Sequence, residues 1–116
     1  MKREIVIILI ALLAWPAIAM QAHEIEIPRS MSGDKGRYFL IYSKQDAGLI
    51  QAISKRVGVD SIVYSKIEMN CMTRKMRGLG ESETSVEDIQ TNPTPWFDLI
   101  SGSSKSDLAN YLCHKK

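Results

Sequence analysis

Apolar and polar positions alternate most clearly over residues 62–73. The apolar side chains on one face are Val63, Ile67, Met69 and Cys71, and the side chains on the other face are Tyr64, Lys66, Glu68, Asn70 and Arg74. A period of two residues is typical of a strand with one buried face. The pattern therefore predicts a half-buried β-strand over 62–73.

Three other segments have strand-like patterns. Residues 38–42 are aromatic and β-branched and predict a strand that is apolar on both faces. Residues 74–77 predict a further strand that runs toward Gly78-Leu79-Gly80, where the glycines predict a bulge or a turn. Residues 24–28 alternate briefly and stop at a proline, which fits either a short edge strand or a leader into the fold.

The strongest helical pattern lies over residues 104–114. The spacing of Ser104 and Asp107 is that of an N-terminal capping box, so Ser104 is the predicted cap. The predicted apolar stripe of this helix consists of Leu108, Ala109, Leu112 and Cys113.

The segment before this helix is acidic and then rich in proline. Thr84 and Glu87 again have capping-box spacing, which predicts one short helical turn within 81–90. Residues 92–95 predict an extended loop, because a residue that precedes proline avoids the α region. Trp96 and Phe97 are then expected to return the chain to the core.

Residues 43–58 fit two structures that lead to different folds. As a helix, the segment has Ser43 as its cap, apolar residues at helical spacing and Gly58 at its end. As a hairpin, it turns at 45–48 and returns as a strand over 49–56. Periodicity alone slightly favours the helix, and the residues by themselves leave both structures open.

The N-terminus has the layout of a cleavable secretory signal. A basic start precedes an unbroken apolar run over 5–15, and a proline then stands before Ala17-Ile18-Ala19. A membrane span needs ~20 apolar residues, so we expect cleavage rather than an anchor. We predict that residues 1–19 are removed, that the mature chain begins near Met20, and that it is periplasmic or secreted.

Two cysteines, Cys71 and Cys113, lie in the mature chain. An even number of cysteines in an oxidising compartment predicts a disulfide. Because Cys71 lies on the inner face of a predicted strand and Cys113 on the inner face of a predicted helix, the bond would staple the helix to the sheet. The mature chain is long enough for one domain with one core.

The net charge argues against a nucleic-acid partner. The full chain has a formal net charge of +2, and loss of Lys2, Arg3 and Glu4 with the signal lowers it by one. A nucleic-acid-binding domain normally has a strongly basic face. We therefore expect no nucleic-acid partner, and no membrane association after signal cleavage.

Short motifs between Gly48 and Cys113 resemble a class of small secreted bacterial proteins. The motifs are Ser54-Lys55-Arg56-Val57-Gly58, Tyr64-Ser65-Lys66, Cys71 and Arg77-Gly78-Leu79-Gly80, followed by Gly102-Ser103 before the C-terminal helix. The layout is also loosely similar to the surface-adhesin protein E family, whose small domains join an antiparallel sheet to a terminal helix through a disulfide. The chain departs from this pattern in its longer acidic stretch over 81–88. The resemblance implies a strand at 49–56 and so favours the hairpin, but it implies little about chemistry.

These features together predict an α+β fold. We expect a small antiparallel meander with a C-terminal helix stapled to it by one disulfide. Residues 20–36 would form a flexible leader or an edge strand, and residues 37–116 would form a single domain.

Little in the sequence points to catalysis. His23 lies near the expected mature N-terminus and His114 at a helix end, where the helix dipole alone favours a protonated imidazole. Metal sites need three or four converging ligands, and we expect no catalytic residue, metal or cofactor. The alternative is a small periplasmic hydrolase that uses two carboxylates as a glycosidase pair. Its candidate residues are Glu81, Glu83, Glu87 and Asp88.

Binding is the better-supported class. The candidate binding surface consists of Lys66, Arg74, Lys75, Arg77 and Trp96. Lys66 and Arg74 would lie on one outward face about 26 Å apart, with Glu68 between them. Such a mixed-charge face suits protein recognition better than polyanion binding. We therefore expect an exported, non-enzymatic accessory, inhibitor, immunity or adhesin-type protein whose partner is another envelope or extracellular protein.

Overall fold

The structure is a computed structural model that describes residues 24–114. The predicted signal segment 1–19 and the expected mature start at Met20 lie outside the described residues. The described chain forms six strands and one helix. Their bounds are β1 (Ile25–Glu26), β2 (Arg37–Asp46), β3 (Leu49–Val57), β4 (Ile62–Asn70), β5 (Lys75–Ser82), β6 (Phe97–Asp98) and α1 (Ser104–His114).

All six strands lie in one antiparallel sheet in chain order, β1-β2-β3-β4-β5-β6. Each strand pairs with the next one along the chain, so the predicted antiparallel meander is confirmed. The fold is mainly sheet, with a single helix in the described part, and α+β therefore describes it only loosely.

Residues 43–58 form the hairpin of β2 and β3. Asp46 pairs with Leu49, which leaves Ala47 and Gly48 as a two-residue turn. Both turn residues have positive φ, 54° and 86°, and a turn of this kind matches the right-handed twist of the two strands. The helical alternative that periodicity favoured is wrong, because the pairing of β3 with strands on both sides outweighs local spacing.

β4 ends at Asn70, three residues earlier than the alternation predicts. The side-chain oxygen of Asn70 accepts hydrogen bonds from the backbone amides of Met72 and Thr73, and its carbonyl accepts one from the amide of Arg74. Arg74 has φ 60°, a conformation outside the strand region. Cys71 and Arg74 therefore lie in a turn and not on the two faces of a strand.

β5 contains the bulge that its glycines predict. Lys66 pairs with Gly80 and Ile67 with Gly78, so Leu79 is the extra residue on β5. The bulge interrupts the ladder between two glycines, where little side-chain packing opposes it.

The acidic segment that follows β5 forms a single turn over 85–89 and not a longer helix, and Ser85, not the predicted Thr84, caps this turn. The hydroxyl of Ser82 accepts hydrogen bonds from the backbone amides of Thr84 and Ser85. The hydroxyl of Ser85 accepts one from the backbone amide of Asp88. A hydroxyl that accepts the amide three residues later is the contact made by a helix N-cap, and the amides of Asp88 and Ile89 also donate to the carbonyls of Ser85 and Val86.

The core lies between α1 and one face of the sheet, here called the inner face. Met69 and Met76 are fully buried and pair across β4 and β5. Leu108, Ala109 and Leu112 of α1 are buried and pack into the same core. The predicted apolar stripe of the helix is thus confirmed for its buried members.

The cap of α1 is Ser103 and not the predicted Ser104. The Ser103 hydroxyl accepts a hydrogen bond from the backbone amide of Ser106, and the Ser103 carbonyl accepts one from the backbone amide of Asp107. Asp107 does not complete a capping box, because its carboxylate accepts hydrogen bonds from Arg29 and Ser30.

The predicted disulfide is present. Cys71, in the turn after β4, is bonded to Cys113 in the last turn of α1, with Cα atoms 5.7 Å apart. The bond fixes the C-terminal end of the helix against the sheet and closes a sequence separation of 42 residues.

Candidate binding groove

Four of the five residues in the predicted binding surface lie on the outer face of the sheet, opposite α1. Arg77 lies over the ring of Trp96 at 5.0 Å and pairs with Glu68 at 2.7 Å. Lys75 pairs with Asp98 at 2.7 Å. Alternation along β4 places Lys66 on the same face as Glu68. We call Lys66, Lys75, Arg77 and Trp96 the outer cluster.

Arg74 does not belong to the outer cluster. Its guanidinium donates to the side-chain oxygen of Asn110 on α1, at 2.8 Å. The predicted 26 Å stripe from Lys66 to Arg74 is therefore wrong, because the strand ends at Asn70 and the turn directs Arg74 toward the helix.

The charged side chains of the outer cluster are largely paired with other side chains of this protein. The side chain of Glu68 is only 8% exposed and accepts hydrogen bonds from Arg77 and Gln51. Burial would raise the pKa of Glu68, but the two donors outweigh burial and lower it. Arg77 is thus held in place by a buried carboxylate, and its charge is balanced inside the sheet.

The carboxylates of the hydrolase alternative lie at the surface. Glu81, Glu83, Glu87 and Asp88 are all exposed. Hydrogen bonds from the hydroxyl of Thr84 and from Ser85 lower the pKa of Asp88, whereas a glycosidase acid needs a raised pKa. Within residues 24–114, no group of three or more potential ligands is arranged to hold a metal ion.

A groove of about 810 Å³ opens on the inner face beside the N-terminal half of α1. Small inward-facing residues create it. Ser54 pairs directly with Ser65, and Ala52 with Ile67, which faces Gly78. These side chains fill less space than the larger core residues that pack under the helix. A gap is therefore left between the sheet and the helix at this point.

The groove has an apolar floor and polar walls. Ile27, Val63, Ile67 and Leu108 contribute the apolar part. The polar part comes from Tyr38, Ser54, Arg56, Ser65, Lys66, Glu81, Gln90, Thr91, Asn92, Thr94, Ser104 and Lys105. The lining therefore comes from four strands (β2 to β5), from Ile27 after β1, from the 90–94 loop and from the first turns of α1.

Several polar side chains in the groove have no partner within the described part of the chain. No hydrogen bond among residues 24–114 engages the hydroxyls of Ser54 and Ser65 or the side-chain amides of Gln90 and Asn92. No buried side-chain nitrogen or oxygen in that part lacks a partner, so these groups stay accessible to solvent. They are donors and acceptors available to a ligand.

Backbone contacts with β5 position the 90–94 loop as one wall of the groove. The amides of Asn92 and Thr94 donate to the carbonyls of Leu79 and Gly78. Gly80 has φ 151°, and a Cβ there would collide with the carbonyl oxygen of Gln90. The glycine is thus required for the close approach of the loop.

Ion pairs fix the opposite end of the groove at Arg56. Asp34 accepts hydrogen bonds from the Tyr38 hydroxyl, the Gly36 amide and the Arg56 guanidinium. These bonds, that of Tyr38 above all, hold the pKa of Asp34 well below its usual range. Arg56 also donates to the Tyr38 hydroxyl at 2.9 Å, so its guanidinium has a fixed orientation.

Arg29 connects this end of the groove to the helix. It pairs with Asp34 at 3.4 Å and with Asp107 of α1 at 2.7 Å. Burial would raise the pKa of Asp107, but hydrogen bonds from Arg29 and Ser30 outweigh burial and lower it. The segment before β2 is therefore tied to both the sheet and the helix.

The groove was not predicted from the sequence. The relevant signal lies in the alternation of β3 and β4, where Ser54 and Ser65 each lie next to one buried residue on the same face, Ala52 and Ile67. Recognising it required the register that pairs the two serines, and sequence alone did not supply that register.

No known protein family, curated protein or solved structure gives a significant match to this chain. The resemblance to the surface-adhesin protein E family therefore stays a prediction. Among residues 24–114, no helix has the length and apolar character that a membrane span requires. The disulfide is consistent with an oxidising, exported location.

Proposed function

We propose that this chain is an exported, non-enzymatic binding protein whose groove receives an extended segment of another envelope or extracellular protein. The groove of about 810 Å³ carries the proposal, because its volume lies in the usual range of ligand-binding clefts. Its unpaired hydroxyls and amides suit a peptide, since almost every peptide residue has one backbone donor and one acceptor.

Export rests on the signal-like N-terminus and is supported by the disulfide. The measured mass of the protein isolated from an envelope fraction should correspond to a chain that begins near Met20. A mass that retains Met1 would remove this part of the proposal.

Filling the groove tests the binding site. Ser65→Trp places a large side chain on the groove floor, and we expect it to abolish capture of the partner from an envelope fraction. Ser61→Trp adds the same side chain in the exposed β3–β4 turn, outside the groove, and should leave capture unchanged. Melting temperature and the intact disulfide show whether each variant is folded.

A variant in the outer cluster tests whether the partner binds the outer face of the sheet instead of the groove. Trp96→Ala removes the aromatic ring that packs under Arg77 and leaves the groove untouched. If Trp96→Ala abolishes capture and Ser65→Trp does not, the binding site lies on the outer face and the groove proposal is wrong.

A further inference from the structure

We infer that residues 20–23 of the mature chain lengthen β1 and cover an open edge of β2 over residues 43–46. The inference goes beyond the binding function and rests on one part of it, the predicted start near Met20. Its basis is the free backbone edge of β2, a cleft beside this edge and the length of chain between the predicted cleavage site and Glu24.

β2 is paired on its β1 side only in its first half. β1 lies opposite Phe39 and Leu40, and one further hydrogen bond joins the amide of Ile27 to the carbonyl of Tyr38. Among residues 24–114, no strand pairs with residues 42–46 on this side. This part of β2 is therefore a sheet edge in the described chain.

The register of β2 with β3 shows which backbone groups face this edge. Asp46 and Leu49 close a two-residue turn and so form a hydrogen-bonded pair, and Lys44, two residues earlier, also bonds to β3. The backbone N–H and C=O groups of Ser43 and Gln45 therefore point away from β3, toward the edge. Such a row of backbone donors and acceptors is a template for a further strand.

The other edge of the sheet is less suited to a further strand. The 90–94 loop bonds to β5 there through the amides of Asn92 and Thr94. Pro93 and Pro95 stand next to these two residues and have no N–H group. Proline at a sheet edge prevents another strand from pairing there, whereas residues 42–46 of β2 include no proline.

The chain before β1 has the right direction to fill the open edge. β1 runs antiparallel to β2 with Ile25 opposite Leu40, so an extension of β1 toward the N-terminus follows β2 toward Asp46. Ile41 is an extra residue in β2, because Leu40 and Tyr42 pair with two consecutive residues of β3. The residues of β2 that face the edge therefore change from even to odd numbers after Leu40.

The length of the chain also matches the edge. Continued past the bulge, β1 places His23 opposite Ser43 and Gln21 opposite Gln45. In both pairs each residue donates and accepts one backbone hydrogen bond. A mature chain that begins near Met20 is thus long enough to reach the end of β2.

On the inner face, a cleft beside the edge has room for the side chains of this extension. Ile27 lies in the core, and alternation from it places the side chain of His23 on the same face. A cleft of about 350 Å³ opens there beside Ser43, with Ile50 and Leu112 in its lining. The inward side chains of residues 21 and 23 would occupy this cleft.

On the outer face, the charges favour the same pairing. Met20 comes opposite Asp46, which is exposed and forms no ion pair among residues 24–114. Signal cleavage gives Met20 a positive α-ammonium group, and opposite charges across neighbouring strands stabilise their pairing. Ala22 comes opposite Lys44 and is too small to obstruct its side chain.

Amide hydrogen exchange tests the pairing in protein isolated from an envelope fraction, whose mass shows that it begins near Met20. The variant Gln21→Pro/His23→Pro removes the two backbone donors that would face β2. We expect the amides of Ser43 and Gln45 to exchange about ten-fold more slowly in the wild type than in this variant, since each loses one hydrogen bond.

Ala22→Pro is the matched control, because the N–H group of Ala22 would point away from β2 and its loss should leave both amides protected. Equally fast exchange of the Ser43 and Gln45 amides in the wild type and in the double-proline variant would overturn the inference. Slow exchange that persists in that variant and depends on protein concentration would also overturn it, because a second copy would then occupy the edge. Neither result bears on the proposed function, since the measured mass decides export and the Ser65→Trp capture experiment decides the groove.

Discussion

The carboxylate of Asp107 joins the first turn of α1 to the segment before β2. Its side chain is 4% exposed, and it accepts hydrogen bonds from the Arg29 guanidinium and the Ser30 amide. Asp107→Asn keeps the shape of the side chain but removes its charge. Because hydrogen bonds to charged groups contribute about 1.5–3 kcal/mol, we expect the free energy of unfolding at pH 7 to fall by that amount.

The stability difference between these two proteins should depend on pH. The pKa of Asp107 is lower in the folded protein than its usual value, so its contribution is present above about pH 4 and is lost as the pH falls through the folded pKa. Melting temperatures of wild type and Asp107→Asn should therefore converge between pH 5 and pH 2 (roughly the titration range of carboxyls). The exposed variant Glu83→Gln serves as the control, and a gap that stays constant or widens in acid would contradict this role.

Individual side chains were the least predictable features of the chain. Asp107 has capping-box spacing, but the cap falls one residue earlier, at Ser103, and Asp107 bonds instead to Arg29. That partner lies 78 residues away in sequence. Local spacing cannot reveal a partner at such a distance, and the same limit applies to Arg74 and its partner Asn110.

Among the secondary-structure elements, most were predictable from the alternation of apolar and polar residues and from turn residues. The strand character of β4 and β5, the bulge near Gly78 and Gly80, and α1 were all predicted from local pattern and are present. The hairpin of β2 and β3 was ambiguous because both structures bury similar residues. The positive φ of Ala47 and Gly48 belongs to the hairpin alone, and only the resemblance favoured it beforehand.

The disulfide is the element-level contact with the largest expected effect. It connects the turn after β4 to the last turn of α1, in a domain whose helix covers only part of the sheet. Replacing both cysteines in Cys71→Ser/Cys113→Ser avoids a stray thiol and should lower the free energy of unfolding by about 2–5 kcal/mol. Denaturant melts of the two proteins measure this difference. Two alkylatable thiols in the wild type under non-reducing conditions would contradict the bond itself.

At the scale of the whole molecule, paired charges shape the outer face. Arg37 pairs with Glu26, Lys55 with Glu24, Lys75 with Asp98 and Arg77 with Glu68. These cations alternate with carboxylates, and charges beyond a Debye length of about 8 Å are screened at physiological salt. We therefore expect weak or no retention on a heparin column under those conditions. Tight retention that is lost in Lys75→Ala and Arg77→Ala would favour a glycan-binding adhesin instead.

The groove also belongs to the whole molecule, which is why sequence did not reveal it. Ser54 and Ser65 are 11 positions apart, and their pairing depends on the register of β3 with β4. The opposite wall depends on the 90–94 loop, which the amides of Asn92 and Thr94 attach to β5. A groove built from four strands, a loop and a helix has no local signature. The disulfide, in contrast, could be predicted from two cysteines and an oxidising compartment.

Site-specific photo-crosslinking in living cells tests the groove as a binding site most directly. A photoreactive p-benzoylphenylalanine at the position of Ser65 points into the groove, and the same residue at the position of Ser61 lies in the exposed β3–β4 turn. A binding site in the groove predicts a light-dependent adduct with a second polypeptide from position 65 and none from position 61. Adducts of equal yield from both positions, or an adduct from position 61 alone, would contradict it.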